Sequence, residues 1–307
     1  MHQGGAIIAR FMSWRPSAVA VATMLFGVGV LSAEQPATIA PLAEVLQRAG
    51  ERVETFFTRA QSIVCLEVVR LHYLNTSLSP DGPARTVESE LRLSWERSDD
   101  GVASAEAHTL RQLLKVNGHP PRDDDWDSCT APEQQAREPQ PLSMLLPALR
   151  ADYEFWLSGQ ERVDGRTAVT LDYRFIKRAS VDVDMVEGRD DCLSFKLDGG
   201  LRGRLWLDAE TYDVVRLDQR LSGMVDIPLP RIITRRPGSD MRWTMERWDT
   251  SIRFKRVPFE NPQETLVLPS SLSSLRITRG SGTPRLRTMT DYRNYRRFLT
   301  SGRIVGD

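Results

Sequence analysis

The chain has 307 residues, 40% of them hydrophobic, with 41 basic residues against 41 acidic ones. That length and apolar content suffice for one large domain or two small ones, and a net charge of zero argues against nucleic acid as a partner. Histidine is scarce at 4 residues, and 3 cysteines without CxxC spacing argue against a zinc site.

Residues 1–33 read as a secretory signal peptide. Arg10 and Arg15 supply a positive n-region, Ala18 to Leu31 an apolar h-region, and Leu31-Ser32-Ala33 a small-residue cleavage site, with cleavage after Ser32 as the alternative. The apolar run falls short of the roughly 20 residues that span a bilayer, which places a membrane anchor behind secretion. No Cys follows it, so a lipoprotein lipobox is absent. The expectation is a periplasmic or secreted protein whose residues 34–307 form a single β-domain.

Pro41 opens a helix that runs to Gln61. Leu42, Val45, Leu46, Ala49, Val53, Phe56, Phe57 and Ala60 repeat at helical spacing, and proline costs little in a first turn. Gly50 reads as a weak point. Ile63 to Leu74 is the first strand, apolar on both faces at its start. Arg85 to Glu96 alternates most cleanly: Val87, Ser89, Leu91, Leu93 and Trp95 point inward, and Thr86, Glu88, Glu90, Arg92, Ser94 and Glu96 outward. A slip of one residue would bury charges, so its register is firmly set. Leu110 to Val116 is a further strand ending at Asn117-Gly118. His119 to Gln140 is a long polar, proline-rich loop; Asp123, Asp124 and Asp125 within it lack EF-hand spacing and read as a solvated acidic turn. Pro141 to Arg150 is a short apolar helix.

Gln160 to Tyr173 reads as strand, turn, strand. Asp164-Gly165 suits a type I′ turn, in which both central residues take positive φ; Val169, Leu171 and Tyr173 then share one face, Ala168 and Thr170 the other. Ile176 to Gly200 is charged and irregular apart from a patch at Leu193 to Leu197, and reads as an inserted excursion. In the next hairpin, Leu201 to Leu221, one face carries Leu201, Gly203, Leu205 and Leu207, the other Arg202, Arg204, Trp206 and Asp208; Val215, Leu217 and Leu221 are the inward set of the return strand. Ile227 to Arg236 is a proline-broken edge or loop. Met241 to Phe259 is a long strand whose apolar parity changes between Met245 and Trp248, which predicts a β-bulge near Glu246–Arg247. Leu266 to Arg279 and Leu286 to Phe298, with their turn at Gly280 to Pro284, complete an antiparallel meander.

In an oxidising compartment two of the cysteines are expected to pair. Cys129 and Cys192 both lie in polar stretches and form the favoured disulfide, with Cys65 free and packed in the apolar run IVCLEVV; three unpaired thiols are the alternative.

Two hairpins carry a resemblance. The pattern GxExVDGRxAxxLxY at Gly159–Tyr173, followed by GRLWLDAETxxVxRLD at Gly203–Asp218, resembles the LolA/LolB-like superfamily, which includes periplasmic lipoprotein carriers and RseB-type envelope sensors. The similarity is clearest over 153–221 and extends weakly to YRNYRRF at Tyr292–Phe298. It implies a mainly β (α+β) fold: an open, strongly curved antiparallel half-barrel with the N-terminal helix and short helices packed on its concave, greasy face. Loop excursions at 118–141 and 176–200 depart from the small carriers.

No GxSxG elbow, Cys-His pair, HExxH, phosphate loop or Rossmann fingerprint is present, so the expectation is no catalysis, no metal and no cofactor. The function expected is binding. A curved sheet with one apolar face leaves an interior suited to a lipid or an acylated protein, with candidate lining residues Leu91, Leu93, Trp95, Leu205, Leu207, Leu217, Trp243 and Met245. The alternative is an interaction or sensor module with an envelope protein partner. Any membrane contact would be peripheral. The arginines at Arg235-Arg236 and at Arg293, Arg296 and Arg297 read as a solvated or ion-paired strand face rather than an anionic-lipid site.

Overall fold

The computed structural model describes residues 40–60, 62–94, 106–125, 135–139, 141–186, 189–229, 242–280 and 285–297. The leader-like segment 1–33, Trp95 and Cys129 lie outside them, and Cys192 is described only through its backbone.

The apolar periodicity after Pro41 becomes helix α1 (Leu42–Arg59), which buries Val45, Leu46, Ala49, Val53 and Phe57 along one stripe. Gly50 is an opening rather than a weak point. A Cβ there would come within 2.8 Å of the Leu145 carbonyl and 2.5 Å of the Arg150 guanidinium. Through that opening Arg150 donates to the carbonyls of Leu46 at 2.9 Å and Leu145 at 2.8 Å, clasping the helix to the short 3-10 turn Pro141–Leu145.

Alternating segments become β1 (Ile63–Tyr73), β2 (Arg85–Ser94), β3 (Glu106–Val116), β4 (Gln135–Pro139), β5 (Tyr153–Val163), β6 (Arg166–Phe175), β7 (Ser180–Val186), β8 (Arg189–Asp198), β9 (Leu201–Asp208), β10 (Val214–Leu221), β11 (Val225–Pro228), β12 (Arg242–Glu260), β13 (Gln263–Arg279) and β14 (Arg285–Arg297). Twelve of them form one antiparallel sheet in the order β4-β3-β2-β1-β14-β13-β12-β10-β9-β6-β5, with β11 beside β12. The first and last strands pair at its middle, and β4 and β5 are unjoined edges, so the half-barrel is open. The Asp164-Gly165 hairpin therefore sits at one edge of the sheet. Its two turn residues have φ of 49° and 82°, as the type I′ reading requires.

The bulge expected at Glu246–Arg247 is present: the β12–β13 register shifts between Met245 and Arg247. A second shift, between Arg253 and Phe254, adds bend to the same long pair.

Three readings change. Val214, not Val215, faces the core, because the β9–β10 register shifts between Val214 and Arg216. The stretch 176–200 carries a strand pair, β7–β8, a separate two-stranded sheet whose Val181, Val183, Phe195 and Leu197 pack beside Leu221, Ile227 and Met245. The polar loop after His119 contains an edge strand, β4, paired with β3. The main core joins α1 and the 3-10 turn to the inward residues of β6, β9, β10, β12 and β13.

Candidate functional site

A cleft of about 440 Å³ remains between α1 and the sheet, within the roughly 300–1,000 Å³ typical of small-molecule sites. Its apolar lining includes Val53 and Phe56 from the helix, Leu142 from the 3-10 turn, Val214 at the start of β10, and Leu266 and Val267 from β13.

The polar lining is uneven in charge: Arg52, Arg59 and Arg256 against Asp213. Arg52 Nε donates to Asp213 Oδ1 at 2.8 Å, and Arg256 to Asp213 Oδ2 at 3.0 Å and to the Thr211 hydroxyl at 3.0 Å. Asp213 is only 7% exposed, so its charge is held by these two partners. The Arg59 side chain, exposed at the end of the helix, has no ion pair among the described residues. The helix thus brings two arginines to the cleft, and the single carboxylate pairs with two of the three cations, which leaves the lining net positive.

None of the seven sequence-derived lining residues that are described borders this cleft; the eighth, Trp95, lies outside the described residues. Leu205, Leu207 and Leu217 lie in the main core at 0% exposure, and Leu93 packs against it. Met245 and Trp243 belong to the second cluster, under the β7–β8 pair. Leu91 is buried on β2, opposite Cys65 and Arg111. The structure therefore brings four of them to one cluster and two to another. The lining of the cleft comes instead from α1, where Phe56 flanks Val53 of the buried stripe, from Leu142, from the start of β10, from Arg256 of β12 and from β13. The signal available in the sequence was the breadth of the apolar helix face, where Val53 and Phe56 stand one turn apart between Arg52 and Arg59.

The farther part of the concave face carries a buried ion pair. Arg111 donates to the two carboxylate oxygens of Glu67 at 2.8 and 3.3 Å, with Glu67 only 3% exposed. Nearby Cys65 is a free, buried cysteine. Burial, and then the Glu67 charge, push its thiol up to about 12, which disfavours the nucleophilic thiolate. Burial likewise raises Tyr295, whose hydroxyl donates to the Pro269 carbonyl at 2.6 Å. Among the described residues no group of three or more His, Cys, Asp or Glu side chains could hold a metal ion, and no helix is long and apolar enough to cross a membrane.

No protein-family model and no curated protein matches the chain. Among solved structures it is similar to a DUF1329 family protein from Desulfovibrio piger, at 11% identity over 86% of this chain and 95% of that one, with a TM-score of 0.44. It is also similar to a LolA superfamily protein from Nitrosomonas europaea, at 11% identity over 87% and 98%, with a TM-score of 0.34. The MucA/MucB complex of Pseudomonas aeruginosa gives 11% identity over 82% and 99%, with a TM-score of 0.20. At such identity and overlap these structures assign the chain no activity.

Proposed function

We propose that this chain is a non-catalytic binding protein of the periplasm or the secreted fraction, and that the cleft under α1 holds the acyl chain of a lipid or of an acylated protein. The observation that carries this reading is the cleft itself: an apolar floor between helix and sheet, with three arginines and a single aspartate around it. Val53, Phe56 and Leu266 remove the chain from water, which stabilises it by roughly 25 cal/mol per Å² of apolar surface buried. Arg59, which has no carboxylate partner among the described residues, meets an anionic headgroup or a free carboxylate at the mouth. The export-type leader of residues 1–33 supports the compartment.

Mass spectrometry of an organic extract of gently purified protein tests the reading, together with uptake of a fluorescent fatty acid. Co-purified lipid or saturable uptake is expected, and Arg59→Glu should weaken uptake of the fatty acid severalfold while leaving an uncharged alkyl probe unaffected. Finding no lipid and no uptake would sink the proposal.

A further inference from the structure

Successive side chains of a strand point to opposite faces. The chain neighbours of the core residues Leu171, Leu205, Leu217 and Ile252 are Asp172, Arg204, Asp218 and Ser251, which therefore stand in register on the outer face. A groove of about 730 Å³ crosses this face from β5 to β14. Its carboxylates, Asp172, Asp218 and Asp249, are all matched. Arg204 grips Asp172 through Nε at 2.5 Å and Nη2 at 2.9 Å. Arg216 binds Asp218 at 2.9 and 2.5 Å, and Ser251 donates to the same carboxylate at 2.7 Å. Arg247 Nε binds Asp249 at 3.1 Å.

The rung one step along differs. Arg174, Arg202 and Arg220 stand directly opposite one another on β6, β9 and β10. Arg174 has an exposed partner, Glu154, at 2.5 Å. Arg202 and Arg220 have no side-chain hydrogen bond or ion pair among the described residues, and neither has Arg287 across the groove on β14. Like charges directly across a sheet destabilise it, and an anionic occupant would reverse that effect. The groove's lining also includes the apolar Trp206 and Leu275, with Trp156 and Met289 left 45% and 46% exposed, among the polar Gln219, Thr250, Ser273 and Ser274.

We propose that this outer groove binds an acidic segment of a protein partner, with carboxylates on Arg202, Arg220 and Arg287 and apolar side chains on Leu275, Met289 and Trp156. Clustered arginines recognise acidic motifs by charge-assisted hydrogen bonds. The recess favours a single chain over a bilayer, since a flat membrane surface cannot enter it. The site lies on the face opposite α1 and does not depend on what fills the cleft.

The test titrates the full chain into a fluorescein-labelled peptide of alternating Glu and Leu. The same peptide with Lys for Glu, and phosphatidylglycerol vesicles, serve as the other arms. The Glu peptide should bind, more weakly as salt rises, and the Lys peptide should not. R202E/R220E should lose at least about tenfold in affinity, since it places like charges against the ligand. R202Q/R220Q should also weaken binding while keeping or raising the melting temperature, because it relieves the repulsive rung. Failure of the Glu peptide to bind at low salt overturns the proposal. So does equal binding by the variants, tighter binding to vesicles than to peptide, or a lower melting temperature for R202Q/R220Q.

Discussion

The two faces of β6, β9 and β10 are built from alternate residues of the same short segments, yet they are stabilised by different chemistry. Inward, Leu171, Leu205 and Leu217 are fully buried against α1 and its neighbours. Outward, Asp172, Arg204 and Asp218 occupy the same rung as charges that alternate in sign. The inward face gains from removing apolar area from water, a large and salt-insensitive effect. The outward face gains from ion pairs that remain partly hydrated, an individually small and salt-sensitive one. The difference teaches where ligands can act. A binder can enter the inner face only where packing leaves a cleft, and the outer face wherever charge is left unmatched.

The largest expected effect breaks the inner face. Leu205→Ala removes a side chain with 0% exposure and should cost about 3–5 kcal/mol in denaturant unfolding. A loss below about 1 kcal/mol would mean that the core collapses around the change rather than packing rigidly. Next comes Gly50→Ala. On helix propensity alone alanine is favoured by roughly 1 kcal/mol. The 2.8 Å approach of the Leu145 carbonyl opposes that gain, and overpacking against backbone typically costs about 1–3 kcal/mol. A lower melting temperature is expected. A higher one would show that the 3-10 turn moves freely away from α1.

These two residues also show what the sequence could reveal. Leu205 was legible as inward because period-2 alternation is local, and so was the Glu246–Arg247 bulge, which appears as a break in that alternation. Gly50 was misread because a close approach by a residue one hundred positions away leaves no local trace. Edge strand β4, QAREP, has no apolar alternation and forms only because β3 offers it a ladder. Strand pair β7–β8 did show alternation, in Val181 and Val183, but the surrounding charges masked it. The cleft was least legible: its lining comes from α1, the 3-10 turn, β10 and the β12–β13 pair, and no single segment carries its outline.

The smallest effect probes the outer face. The Arg204 hydrogen bonds hold the Asp172 carboxyl below the ordinary Asp range; partial burial works against them, and the Ser158 hydroxyl adds to them. A carboxyl with a folded pKa below its unfolded value stabilises the fold above the unfolded value of about 3.9. That contribution fades as pH falls from there through the lowered folded value. Asp172→Asn should therefore cost about 1 kcal/mol near neutral pH, a modest figure because Arg204 is 36% exposed and solvent screens the pair. The difference between wild type and variant should shrink in acid and in high salt, whereas the loss from Leu205→Ala should persist in both. Unfolding curves collected at several pH values check this. A deficit for Asp172→Asn that stays constant below the ordinary Asp range would mean that the side chain contributes by packing and neutral hydrogen bonds, and the outer face would then resemble the inner one more than its charges suggest.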